Sequence, residues 1–273
     1  MSKANNLSDL LKSVADAIRL KKGTSALIDP QNFETEIASI PSGGTSKLPQ
    51  VVDRSVTSIT AEDLGNITSI GIHAFYECTN LATVTTPNSV TTIGGSSFYG
   101  CTSLINVVLS PLLTSIDVSA FYGCSSLQSI NLPDGLTTIG ASSFRNCSSL
   151  SSITLPNTLT TIGGSSFYGC TCEIIWGDNP TIQSLGASAF YKYMGTSLTI
   201  PSTVSSIGSN CFAEGTNLNS ITVLSVNPPT LANVNAFNNT NNCPIYVPSG
   251  SVTAYQTASN WSALASRIQA IPT

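Results

Sequence analysis

The 273 residues include a single histidine, His73, and only 9% are charged. One histidine does not supply a Ser-His-Asp arrangement, and Cys170 and Cys172 sit too close in sequence for a standard zinc pair, so no catalytic site, metal or cofactor is expected. Carboxylate pairs are also lacking: Asp117, Asp134, Glu173, Asp178 and Glu214 stand singly in turn-like contexts, which argues against a glycosidase. Basic residues thin out after the first fifth of the chain. Residues 1–54 hold seven Lys/Arg against six Asp/Glu, whereas residues 55–266 hold only Arg145 and Lys192 against eight acids. A nucleic-acid partner needs clustered cations to displace phosphate counterions, so the body excludes that class. No apolar run approaches the roughly 18–20 residues of a membrane span, so no membrane insertion is expected. The opening MSKANNLSDLL lacks the apolar core of a conventional secretory signal.

What the chain has instead is repetition. Leu127 to Ser149, LQSINLPDGLTTIGASSFRNCSS, aligns without gaps with Leu81 to Ser103, Leu104 to Ser126 and Leu150 to Cys172, a period of 23 residues. Eight of the nine phenylalanines share one column: Phe75, Phe98, Phe121, Phe144, Phe167, Phe190, Phe212 and Phe237. A period in the twenties with an L-x-x-hydrophobic-x-L core predicts a solenoid, in which each coil buries its apolar side only against the next. Within the unit, Leu127, Ile130 and Leu132 are expected to form a short strand ended by Pro133, and Leu136, Ile139 and Phe144 to complete the interior. Gly71, Gly94, Gly140, Gly163, Gly186 and Gly208 follow the aliphatic residue of one column, where a positive φ is expected, with Asp117 as the exception.

These units, above all LPDGLTTIGASSFRNC, LPNTLTTIGGSSFYGC and the SAF triplets at Ser119 to Phe121 and Ser188 to Phe190, resemble the BspA-like, or Treponema pallidum-type, leucine-rich repeats. The resemblance covers about Val56 to Pro248. It implies surface-exposed recognition or adhesion without catalytic machinery, and it names no ligand.

The ends differ from the body. Leu7, Leu10, Leu11, Val14, Ala17 and Ile18 recur at helical spacing between Ser8 and Lys21, and Phe33, Ile37 and Ile40 lie on one face of a second helix from Asp29 to Ile40. Such a pair buries little alone, so Leu7, Leu11, Val14, Ile18, Phe33 and Ile37 are expected to attach the chain to a partner, including copies of itself. Residues 1–45 also resemble an N-terminal module of tail-associated proteins from phages and prophages of Firmicutes, which implies attachment to other tail proteins. Residues 46–50, within the Ser/Gly/Pro-rich stretch from Pro41 to Pro49, are expected to be a linker. Residues 51–248 form the solenoid, and residues 249–273 a cap in which Tyr255, Trp261, Leu264 and Ile268 share one helical face. The expected fold is thus a repeat solenoid, poor in α/β units, of parallel β coils with an N-terminal helical hairpin and a C-terminal strand-helix cap.

Two surfaces stand out as candidates for binding. Tyr76, Tyr99, Tyr122, Tyr168 and Tyr191 each follow a column phenylalanine, with Arg145 in the remaining rung, and an outward row of amphipathic rings suits stacking on sugars as well as simple cover of a turn edge. The outward strand positions Thr83, Thr85, Asn106, Val108, Ser129, Asn131, Ser152 and Thr154 are small and hydroxyl-rich, fit for hydrogen bonding or for keeping a sheet soluble. Five of the eight cysteines, Cys78, Cys101, Cys124, Cys147 and Cys170, share a column too widely spaced for disulfides and are expected to pack as buried thiols. The expected function is non-enzymatic recognition of a bacterial cell-surface glycan or protein. The phage or prophage tail is the expected setting, because a virion component needs no secretory signal. The alternative is a surface or secreted BspA-like adhesin.

Overall fold

The computed structural model describes residues 54–272. The expected helical pair with Leu7, Leu11, Val14, Ile18, Phe33 and Ile37, and the linker after it, lie outside the described residues.

Each coil contributes two short strands rather than the one the repeat foretells. The first strands lie where the L-x-x-I-x-L core places them, all parallel. Ser58–Ile59, Thr83–Thr85, Asn106–Val108 and Ser129–Ile130 pair in one ladder. Ser152–Leu155 and Glu173–Trp176 form a second, and Ser197–Ile200, Ser220–Val223, Ile245–Val247 and Ile268–Ala270 a third. The additional strands are two-residue Ser/Thr-aliphatic pairs such as Thr138–Ile139 and Thr161–Ile162, and eight of them make one unbroken ladder from Ser69–Ile70 to Thr230–Leu231. Their aliphatic residues point inward. The threonine before four of these pairs is fixed as well: Thr91, Thr114, Thr137 and Thr160 donate their hydroxyls to the carbonyls of Thr68, Thr91, Thr114 and Thr137 at 3.1–3.2 Å.

The interior is a column of rings. Phe75, Phe98, Phe121, Phe144, Phe167, Phe190, Phe212 and Phe237 stack in order with centroids 5.1–5.7 Å apart and planes within 9°. Each is buried, and each contributes about 1.5–3 kcal/mol relative to an exposed side chain. All eight cysteines are free and buried. The thiols of Cys101, Cys124, Cys147 and Cys170 donate to the carbonyls of Phe75, Phe98, Phe121 and Phe144 at 2.9–3.2 Å, which ties each of these four coils to the one before it. A further column of buried small residues includes Ser97, Ala120, Ser143, Ser166 and Ala189, and the hydroxyls of its three serines find no partner.

The glycine column has a different cause from the one expected. Gly71, Gly94, Gly140, Gly163, Gly186 and Gly208 are not in the left-handed region. Gly94, Gly140, Gly163, Gly186 and Gly208 are glycines because the preceding coil lies against them: a Cβ on Gly140 would sit 2.6 Å from the carbonyl carbon of Asp117 and 2.7 Å from the nitrogen of Val118. Tolerance of the left-handed region therefore does not account for Asp117, and the structure offers no other reason for it. Positive φ falls two residues later, at His73, Ser96, Ser119, Ser142, Ser165, Ser188 and Asn210, and again two residues after each phenylalanine, where Gly100, Gly123 and Gly169 alternate with residues such as Asn146 at φ 61.

The first coil carries a helix the sequence reading did not foresee, Ala61–Leu64, with a capping box between Thr60 and Asp63. At the other end, the segment expected as one helical run divides. A 3-10 turn Ser249–Ser251 leads into the helix Val252–Thr257, a second 3-10 stretch spans Ser262–Arg267, and Ile268 belongs not to a helical face but to a last strand paired with Ile245–Val247. Trp261 ends the ring column, 5.6 Å from Phe237, while its indole N–H donates to the carbonyl of Pro229 at 2.7 Å.

Candidate functional site

The tyrosine rungs follow from the turn that carries them. Phe98 points inward and its N–H donates to the carbonyl of Ala120 at 2.8 Å, while the N–H of Gly100 donates to the carbonyl of Tyr122 at 2.7 Å. The same pair of bonds recurs at Phe75 and Glu77, at Phe121 and Gly123, and at Phe144 and Asn146. With residues on both sides of Tyr99 at positive φ, Ser96 at 53° and Gly100 at 69°, the side chain between them is left on the outside, half-buried and with one direction open.

The expected row exists, and it is tighter than a set of independent rings. Tyr76 stacks on Tyr99 at 4.9 Å, Tyr99 on Tyr122 at 4.6 Å, and Tyr168 on Tyr191 at 4.6 Å, all with planes within 9°. Arg145 fills the gap, with its guanidinium carbon 4.1 Å from the Tyr168 centroid and 5.9 Å from that of Tyr122. The rings thus turn their faces to one another. What the row offers a ligand is its edges and hydroxyls, so stacking of sugars on individual ring faces, expected from the sequence, is blocked along the row. Burial, followed by the charge of Glu77, raises the Tyr76 pKa; burial, followed by Tyr122 and Tyr76, raises that of Tyr99. These two hydroxyls are therefore neutral donors and acceptors at ordinary pH.

The strand-side candidates occupy a different part of the coil. Asn106, Asn131 and Thr154 are exposed and Thr85 half-buried. Asn106 lies in register between Thr83 and Ser129, and Thr85 beside Val108. Unlike Thr91, Thr114, Thr137 and Thr160, none of these four side chains is hydrogen-bonded within the described residues, so their capacity faces outward. The face is not uniformly polar: Ile105, Val108 and Ile175 are exposed along it. The sequence also gave no sign that the ladder stops between Ser129–Ile130 and Ser152–Leu155. At that seam Ser129, Ile130, Asn131, Leu132, Ser152 and Thr154 line an open cavity of about 310 Å³. Its walls repeat the columns around them, so no residue type marks it in advance.

Among the described residues no three His, Cys, Asp or Glu side chains group as a metal site, and no helix is long and apolar enough to cross a membrane. Glu214 accepts from Asn239 at 2.8 Å and Glu77 pairs with Arg54 at 2.8 Å.

The same architecture occurs in solved structures. A leucine-rich repeat protein from Bacteroides ovatus is 29% identical, with a TM-score of 0.54 over 73% of this chain and 57% of its own. A leucine rich cell surface protein from Faecalibacterium prausnitzii is 24% identical, with a TM-score of 0.57 over 72% of this chain and 65% of its own. A leucine-rich repeat protein from Eubacterium ventriosum is 23% identical, with a TM-score of 0.50 over 77% and 59%. The chain thus spans less than two thirds of the length of these relatives. No curated protein matches. The model of the BspA type leucine rich repeat region matches in six copies, over residues 52–174 and 137–260. Those two overlapping matches take in most of the sequence, and the phenylalanine, cysteine and glycine columns within them are the stacked interior described above: the chain belongs to the BspA-type leucine-rich repeat family.

Proposed function

We propose that this protein is a non-enzymatic recognition protein that holds a bacterial cell-surface glycan or protein against the outside of its coils. The observation that carries this reading is the six-rung row Tyr76, Tyr99, Tyr122, Arg145, Tyr168 and Tyr191. Stacking and inter-coil backbone bonds fix the rungs before any ligand arrives, so little side-chain entropy remains to be lost on binding. Thr85, Asn106, Asn131 and Thr154 form a second, hydroxyl- and amide-bearing surface on the strand side.

In its narrower form the reading places the chain on a phage or prophage tail, held to other tail proteins or to copies of itself through residues 1–45. That form rests on the resemblance of those residues to a tail module. A bacterial surface or secreted adhesin is the second form, and membership of a BspA-type family supports it as well.

The test is a pull-down of bacterial cells and isolated cell-wall glycans with the full chain. Tyr99→Phe combined with Tyr122→Phe keeps the stack and removes two hydroxyls. Binding should fall while the melting temperature holds. If that double variant and the corresponding double alanine variant both bind as the original does, the row is not the contact.

A further inference from the structure

Arg145 breaks the chemistry of the row without breaking its geometry. The described residues contain four Lys/Arg, and two of them have evident structural employment: Arg54 pairs with Glu77 at 2.8 Å, and Arg267 donates to the Cys243 carbonyl at 2.8 Å and to the Thr240 hydroxyl at 2.9 Å. Arg145 has no such acceptor. It makes no ion pair, and its Nε is buried without a hydrogen-bond partner. Its guanidinium carbon nonetheless lies over the Tyr168 ring, 4.1 Å from the centroid, so its N–H donors are held within the row.

Arg145 as a whole is half-buried, so part of the side chain remains exposed. Gly123 and Gly169 flank Asn146 in the neighbouring column and add no side chain of their own, and the Asn146 amide leans over Gly169. The other cation without an acceptor, Lys192, directly follows Tyr191, two coils further along the same edge, or about 10 Å at a spacing of ~4.8 Å per coil. Glu214, next after Lys192 in its column, is engaged by Asn239.

We infer that Arg145 is an anion-binding centre within the recognition row, and that its ligand is a glycan that presents a carboxylate or phosphate group to that one rung. This deepens the reading of the row as a binding surface and depends on it. A guanidinium between phenols offers charge-assisted, bidentate contact to either anion, while the phenol hydroxyls on both sides bond to sugar hydroxyls. An acidic peptide fits less well. The N–H groups of Gly100, Gly123, Asn146 and Gly169 are already spent on the carbonyls of Tyr122, Arg145, Tyr168 and Tyr191, so no free backbone edge is available to pair with a strand.

The full chain would be measured at about 0.15 M salt, which screens distant surface charge, against immobilised polygalacturonate, poly(glycerol phosphate), neutral dextran and polyglutamate. The key variant is Arg145→Tyr, which installs the residue of the other five rungs and so preserves the fold; Arg145→Lys keeps the charge and loses the fork. The seven Lys/Arg of residues 1–54 are common to all three proteins, so affinity ratios report on the rung. The original protein should bind at least one acidic glycan. Arg145→Tyr should bind it about tenfold more weakly or worse, in line with loss of a charge-assisted bond, with Arg145→Lys between the two. The polygalacturonate and glycerol phosphate surfaces tell carboxylate from phosphate. Equal binding by Arg145→Tyr would overturn the inference, as would binding to polyglutamate alone. Cell binding without binding to either acidic glycan would also overturn it, yet leave the recognition reading standing; a protein that binds neither cells nor glycans would remove that reading too.

Discussion

Cys147 donates its thiol hydrogen to the carbonyl oxygen of Phe121 in the preceding coil, 3.2 Å away. The relationship makes the cysteine column a set of rungs rather than reactive groups, because the thiolate needed for reaction would have to be buried and would lose its acceptor. Burial raises the pKa of the Cys124 and Cys147 thiols. A thiol reagent added to the native protein should therefore find essentially nothing in the time it labels a free peptide, and should find all eight cysteines after unfolding without reductant. Fast native labelling of any column cysteine, or fewer than eight thiols in the unfolded chain, would contradict the structure.

The two kinds of glycine should respond oppositely to substitution. Gly140→Ala forces a Cβ into the backbone of Asp117 and Val118 and should cost about 1–3 kcal/mol. Gly123→Asn should cost under about 1 kcal/mol despite its larger side chain, because Asn146 already holds the equivalent position at φ 61. Chemical denaturation of both variants decides this, and the reverse order would show that the two columns have been assigned the wrong causes.

The buried serines offer a stabilising change. Ser143 and Ser166 hide hydroxyls with no partner, whereas Ala120 and Ala189 serve the same column. Ser143→Ala removes a desolvated polar group and almost no volume, and should raise stability by about 1 kcal/mol. A lower melting temperature would mean that the hydroxyl is bonded in solution.

Alkali should unfold the protein earlier than acid-base behaviour of a free chain would suggest. Burial holds the thiol of Cys124 above its ordinary value of 9.0 and the phenol of Tyr99 above its ordinary 10.0. Such groups lose protons first in the unfolded chain, so the stability they support is complete below those ordinary values and declines as pH rises past them. Melting temperature should be level from pH 6 to about 8.5 and fall steadily above about 9. A level profile to pH 10.5 would count against the burial of these groups.

Much of this was legible because a solenoid writes its core once per coil. Phe144 and Cys147 recur at the same interval as their neighbours, so their burial can be read from a column rather than from one residue. The causes hidden in the columns were harder. Glycine answers both a positive φ and a close backbone, and only coordinates distinguish them; at Gly140 it is the close backbone, while the left-handed turn falls at Ser142, where propensity would not place it. Thr138–Ile139 is too short to display strand alternation. The tyrosine row was visible, but the contact of its faces was not, since that depends on coil spacing as well as on residue type.

The register of the units should make deletions all-or-none. Removing Leu127 to Ser149 joins Ser126 to Leu150 with every column intact and should leave a shorter cooperative fold; removing only Gly135 to Arg145 takes Leu136, Ile139 and Phe144 from one coil and should abolish it. Circular dichroism melts of the two proteins would show the contrast, and similar melting of both would refute the register.

The two sides of the coil differ in how they bear deformation. The first strands are jointed, with ladders that stop after Ser129–Ile130 and after Glu173–Trp176, while the ladder from Ser69 to Leu231 runs through without a break. At the first joint the only backbone bond carried over from coil to coil is a long one, from Ser151 to the Gln128 carbonyl at 3.4 Å, so under a pull along the axis the joints should give before the continuous side does. A long ligand laid over the seam by Asn131 and Thr154 therefore meets a surface of adjustable spacing, whereas one laid along the tyrosine turns, where backbone bonds link successive coils, meets a ruler.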